Sequence, residues 1–107
     1  MAEGFESLAA RHGRVSQLLF LPDFEDHVRQ AGRHVSMTEV LAVLAISPRF
    51  FDNEGENRSA PALMLGPTSM GRILKVPIAP TESWGCWIVL TAYDAGAEDK
   101  VRYQGGT

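Results

Sequence analysis

Arg72 closes the stretch "GPTSMGR", where two apolar runs, "APALMLG" and "GRILKVPI", meet around a turn. An arginine at that place has two readings. Its planar fork can hold two oxygens of an anion such as an RNA phosphate. Alternatively it pairs with a nearby carboxylate, Glu54, Glu56 or Glu82, and only decorates a hairpin. Other reactive constellations are weaker. His12, His27 and His34 are not spaced i, i+4, and no Asp or Glu completes a zinc pattern, so no metal is expected. "GPTSMG" lacks the Lys-Ser/Thr signature of a P-loop, and nothing supports a Ser-His-Asp nucleophile. No cofactor is expected. The chemistry left is electrostatic and acid–base, carried by cations and tyrosines that folding must bring together.

Composition limits the partners. The chain has 107 residues, 45% of them apolar and 21% charged, which fits one globular domain with one core. Formal net charge is −3. Residues 1–48 carry four arginines against six acids, and residues 49–107 carry six bases against seven acids. Neither half is basic, which argues against nonspecific high-affinity binding of nucleic acid, because that affinity scales with Lys and Arg contacts. An anion site has to be built by folding. Cys86 is the single cysteine, so an internal disulfide is excluded. No apolar run approaches the roughly 20 residues of a membrane span. Glu3 and Glu6 stand where a secretory signal carries positive charge. A cytoplasmic protein is the expectation.

The elements follow from periodicity. Phe5, Leu8, Ala9, Val15, Leu18 and Leu19 recur at near-helical spacing within Gly4–Leu21; Gly13 weakens the middle, so a helix followed by a short extended piece is an alternative. Pro22 ends this segment. Asp23 is placed to cap a helix over Phe24–Ala31, which Gly32 stops. "SMTE", Ser36–Glu39, has the capping-box form and opens a helix that runs to about Ile46, before Pro48. After Pro48 the period becomes two. "RFFD" starts a short strand, and "APALMLG", "GRILKVPI" and "CWIVLTAYDA" are β-type runs. "AGAEDKVRY" closes the chain as a short helix.

The order α-α-β-β-β-β-α predicts an α+β fold: an antiparallel meander of three to four strands with the helices grouped on one face. Leu74, Val76 and Ile78 are assigned to the core and Lys75 to the opposite face. In the last long strand Cys86, Ile88, Leu90 and Ala92 are assigned to the helix-covered core. Trp87, Val89, Thr91 and Tyr93 are assigned to an open face.

Four segments in this order resemble the BrnT family of toxins. "RHVSMTEV" is similar to the family's "KHGVSFEEA"; "ENR" follows; "LMLGPTSMGRILKV" is similar to "IGRS…GRLLVV"; and "VLTAYDAGAEDKVRY" is similar to "IISARKATRRERRRY" without a gap. The resemblance covers about Phe24–Tyr103. It implies a RelE-like core over residues 23–103, a helical extension over 1–22 and a flexible tail over 104–107. It also implies a metal-independent endoribonuclease acting on mRNA, partnered by a small antitoxin with a DNA-binding segment. RNA cleavage of this type needs a base for the 2′-hydroxyl proton, cations for the phosphorane-like charge and an acid for the leaving oxygen. The resemblance puts Arg72, His34, Tyr93 and Arg58 in the catalytic roles. Lys75, Lys100, Arg102 and Tyr103 become the RNA contacts.

Beside two exchanges that keep the charge, Arg33 for a lysine and Lys100 for an arginine, this chain departs from the family pattern at three positions that lose a cation. Tyr93 replaces the arginine of "SAR", Asp94 replaces the lysine after it, and Ile88 replaces a strand arginine. These departures carry the alternative expectation: a catalytically inactive RelE-like binding module that uses an open sheet face, with Trp87, Val89 and Tyr93, for protein–protein contact or dimerisation.

Overall fold

The computed structural model describes residues 4–53 and 60–105. The chain runs α1 (Phe5–His12), β1 (Gln17–Phe20), α2 (Phe24–Gln30), α3 (Met37–Ile46), β2 (Arg49–Asp52), β3 (Ala62–Pro67), β4 (Ile73–Pro80), β5 (Cys86–Val89), β6 (Tyr93–Asp94) and α4 (Ala97–Tyr103). The fold is α+β, with helices leading, strands following and a short helix last. The meander is present: β2, β3, β4 and β5 pair antiparallel in sequence order. The extended alternative at the N-terminus is the one that forms, because Gly13 stops α1 at φ 86° and β1 then pairs parallel with β5. The sheet order is β1-β5-β4-β3-β2, with β6 on the first half of β4.

Local chemistry explains the helix starts. Ser36 and Glu39 form both halves of the capping box at α3: Glu39 N–H donates to Ser36 Oγ at 3.1 Å and Ser36 N–H to Glu39 Oε1 at 3.0 Å. Asp23 holds the N-cap position of α2, yet its side chain makes no capping bond. Gly32, at φ 78°, turns the chain out of α2 as expected.

Helices α1, α2 and α3 cover one sheet face. Phe5, Leu8, Phe24, Val28, Val40 and Val43 pack there against Leu18, Met64, Leu74, Val76, Ile78, Trp87 and Val89. The expected core face of β4 holds. That of β5 is the other one. Trp87 and Val89 are fully buried under the helices, and Ile88 points to the opposite side, half-buried. The reason is twofold. A buried tryptophan needs a partner for its N–H, and Trp87 Nε1 donates to the carbonyl of Gly13 at 2.9 Å. Furthermore, β5 ends at Val89, so the strand parity that tied Cys86 and Ile88 to Ala92 breaks between them; Ala92 does lie in the core. The helices are also not all on one face. Lys75 and Phe51 on the second face meet Asp99 and Arg102 of α4.

Candidate functional site

The β3–β4 turn fixes Arg72 through its own backbone. Thr68, 3% exposed, accepts at Oγ1 from the amides of Met70 (3.3 Å) and Arg72 (3.2 Å). Its amide donates to the Arg72 carbonyl at 2.8 Å. Gly71 supplies the positive φ, 85°, that closes this turn. The register then does the rest. Asp94 lies opposite Leu74 on the helix side of the sheet, and Tyr93 lies opposite Lys75 on the other side.

Arg72 therefore extends toward a carboxylate at the rim. Its Nε donates to Asp94 Oδ1 at 2.5 Å and Nη2 to Asp94 Oδ2 at 3.1 Å, a two-pronged pair. Nη1 donates to the His34 carbonyl at 2.6 Å and to Glu39 Oε2 at 3.1 Å. Four of the five guanidinium N–H groups are thus engaged, and three separate chain segments are tied to the start of β4. The hydrogen bond to Asp94 raises the Arg72 pKa above its already high value despite partial burial. The reciprocal bond, with the Arg72 charge and a smaller field from Lys100, holds the Asp94 carboxyl below the usual carboxylate range. The carboxylates expected to pair with Arg72 are not the ones that do. Glu54 and Glu56 lie outside the described residues, and Glu82 sits in the loop at the far end of β4.

The remaining candidates fall around this clamp. His34 contributes its carbonyl, and its exposed imidazole has no hydrogen bond among the described residues. Two cations lie near the Tyr93 ring, the Arg33 guanidinium 4.6 Å and the Lys75 ammonium 5.6 Å from its centroid. Arg33 is held there by donating to Thr91 Oγ1 at 2.8 Å. Lys75 also pairs with Asp99 at 3.3 Å, and Arg102 approaches the same carboxylate at 3.7 Å. Arg102 lies over Phe51, 4.7 Å from its centroid, and the Tyr103 hydroxyl donates to the Ser47 carbonyl at 2.7 Å. Lys100 is exposed and touches Asp94 only through space. Arg58 lies outside the described residues.

Folding thus sets Arg72 against the His34 carbonyl on the helix side of the sheet and Tyr93 beside Lys75 on the other side, with Arg102 and Tyr103 on α4 beyond Lys75. Sequence reasoning missed Arg33, Glu39 and Asp94 as members. Glu39 had a signal, since the capping box predicts its reach back to Ser36; its second oxygen then remains free for Arg72. Beside the clamp, a shallow depression of about 290 Å³ is lined by Glu25, Arg29, Arg33, His34 and Glu39. Its carboxylates are already used: Glu25 accepts from the Met37 amide at 2.9 Å. Among the described residues, no buried side-chain nitrogen or oxygen lacks a partner, and no three His, Cys, Asp or Glu side chains gather as metal ligands. No described helix is long and apolar enough to cross a membrane. Comparison with protein-family models, curated proteins and solved structures gives no match for this chain.

Proposed function

We propose that this chain is a RelE/BrnT-like binding module in which the RNA-cleaving constellation has been turned into scaffold. One observation carries the reading. The guanidinium that would clamp a scissile phosphate spends four N–H groups on Asp94, Glu39 and the His34 carbonyl. By the resemblance, Asp94 stands where the family has a lysine. That exchange both removes a cation and supplies the carboxylate that fills the arginine fork. Lys75 and Arg102 share Asp99 in the same way.

The contact surface of this module is not the Trp87 face, which the helices cover. It is the half of the second sheet face that α4 leaves open. There Leu19, Ile88 and Ala79 form an apolar row across three neighbouring strands. The test is cleavage of single-stranded RNA by the purified protein, with and without ribosomes, beside growth of cells expressing it. No cleavage and normal growth at high soluble expression are expected.

A second reading keeps the enzyme: a metal-independent endoribonuclease toxin held by a small antitoxin. What favours it is that two pairs of candidates meet in the fold, Arg72 with the His34 carbonyl and Tyr93 with Lys75. It requires substrate phosphate to displace Asp94 from Arg72. RNA cleavage that disappears in Arg72→Ala while the fold persists would establish it and remove the module reading. So would growth arrest relieved by a small protein encoded next to this one.

A further inference from the structure

The two edges of the sheet are built differently. β2 carries a charge at each end, Arg49 and Asp52. Both ends are also tied to helices: Phe5 N–H of α1 donates to Asp52 Oδ1 at 2.5 Å, and Arg49 Nη1 donates to the Tyr103 carbonyl at the end of α4 at 2.7 Å. β1 has none of these guards. From Val15 to Pro22 the sequence, "VSQLLFLP", holds no charge, and no proline or bulge interrupts Gln17–Phe20. Among the described residues its one strand neighbour is β5, so its outer N–H and C=O groups face away from the sheet. Leu19 and Leu21 are 44% and 39% exposed beside that edge. Folded proteins ordinarily blunt such an edge with charge, proline or a cover, because it templates pairing with another chain.

We infer that β1 pairs antiparallel with β1 of a second copy of this chain across a twofold axis. The guarded β2 edge decides for this occupant. Pairing of β1 with β2 of another copy would oppose an uncharged strand to a charged, capped one and would propagate into a filament. Pairing of β1 with itself uses up both bare edges and closes. The register follows from the side-chain faces. A twofold axis perpendicular to the sheet keeps each face on its own side, so residues i and j meet only when i + j is even. Centring the overlap on Leu19 sets Leu19 opposite Leu19 of the second copy, Leu18 opposite Phe20, and Gln17 opposite Leu21. The apolar row Leu19–Ile88–Ala79 then runs continuously from one molecule into the other. This inference is independent of whether RNA is cut.

The full-length chain should elute from sizing with light-scattering detection at twice the 11.7 kDa of one chain, at concentrations of about 100 µM. Leu19→Lys puts two ammonium groups directly opposite each other, an arrangement that destabilises a strand pair. It should run as a folded monomer with an unchanged circular dichroism spectrum, and mixing it with Leu19→Glu should restore the doubled mass. Leu19→Cys, in a Cys86→Ala background, should give a covalent dimer on mild oxidation, since directly opposed Cβ atoms lie about 4.5–5.5 Å apart. Leu21→Cys should not, because the two copies of residue 21 stand about 14 Å apart along the strands. Leu41→Lys, on the exposed face of α3, should leave the dimer intact. A monomeric wild type, a mass above two chains, a dimer that survives Leu19→Lys, or dissociation by Leu41→Lys would each overturn the inference. If Leu19→Lys fails to fold, absence of the Leu19→Cys crosslink, or an equal yield from Leu21→Cys, overturns it instead.

Discussion

Arg72 illustrates how little a residue's type says about its occupation. The side chain is 29% exposed, and its partner Asp94 is 65% exposed, so this is a rim network and not a buried ion pair. Exposed single pairs contribute little. However, Arg72 makes four bonds to three segments, and bidentate pairs to arginine are the stronger kind. Arg72→Ala should lower stability by on the order of 1–2 kcal/mol, a drop in melting temperature of roughly 5–10 °C for a domain of this size. Arg72→Lys should recover part of that, because a point charge cannot fill the fork with Asp94. Calorimetry of the three proteins decides; equal melting temperatures would mean that the clamp holds nothing. The pH dependence has a defined sign. Asp94 has a folded-state pKa below its unfolded one, so its contribution is fully present above the ordinary carboxylate range and fades as pH falls through the lowered value. The wild type should therefore lose more stability than Asp94→Asn between about pH 5 and pH 2, and melting curves across that range check it. The sequence announced Arg72 as a residue needing an anion. It could not announce which one, because Asp94 reaches it only through the β4–β6 register, across 22 positions of chain.

At the scale of elements, the helices were the most legible part. The stop signals Gly32 and Pro48 and the capping box at Ser36 act within one turn of the residues they control, whereas the first helix, expected over Gly4–Leu21, stops at Gly13. The strands β2, β3 and β4 were legible too, and so was the core face of β4, with Leu74, Val76 and Ile78 on one side and Lys75 on the other; β1 was legible only as the alternative to a longer helix, and the run "CWIVLTAYDA" divides into β5 and β6. The face of β5 was not legible. Its residues "CWIV" are apolar on both sides, so alternation carries no signal, and the deciding contact comes from Gly13, 74 positions away. That contact also shows what Gly13 is for. A Cβ there would stand 2.6 Å from the Gly85 amide nitrogen and 2.8 Å from the Trp84 ring, at φ 86°. Gly32 has φ 78° with nothing near a Cβ. The two glycines separate backbone strain from crowding. Gly32→Ala should destabilise by about 1 kcal/mol, the strain alone. Gly13→Ala adds displacement of the α1–β1 connection that seats Trp87, and should destabilise by at least about 2 kcal/mol more. Chemical denaturation of both variants tests the difference; equal losses would mean that the Gly13–Gly85 approach relaxes freely.

For the whole molecule, the radius of gyration is 12.9 Å, close to the roughly 13 Å of a compact chain of about 100 residues. The chain has 10 bases and 13 acids, and three of the candidate cations meet carboxylates of the same fold: Arg72 meets Asp94 and Glu39, and Lys75 and Arg102 meet Asp99. Nucleic-acid binding draws its strength from releasing counterions held at phosphates, and each cation already neutralised by a carboxylate releases none. A protein using Arg72, Lys75, Lys100 and Arg102 together would show a salt slope near −0.7 per cation engaged, about −3 in log affinity against log salt for a single strand. With the observed pairing, the slope for a single-stranded RNA should be about −1 or shallower, Lys100 being the one of these four without an ion pair among the described residues, and binding at about 150 mM salt should be barely measurable. Asp94→Lys is the informative variant, because it restores the cation that the resemblance implies and frees the Arg72 fork in one step. Its RNA affinity should rise and its salt slope steepen, while its melting temperature falls with the loss of the clamp. Steep salt dependence in the wild type, or no gain in Asp94→Lys, would separate RNA binding from this cluster altogether. Fluorescence anisotropy of a labelled RNA, titrated at several salt concentrations for both proteins, gives the answer.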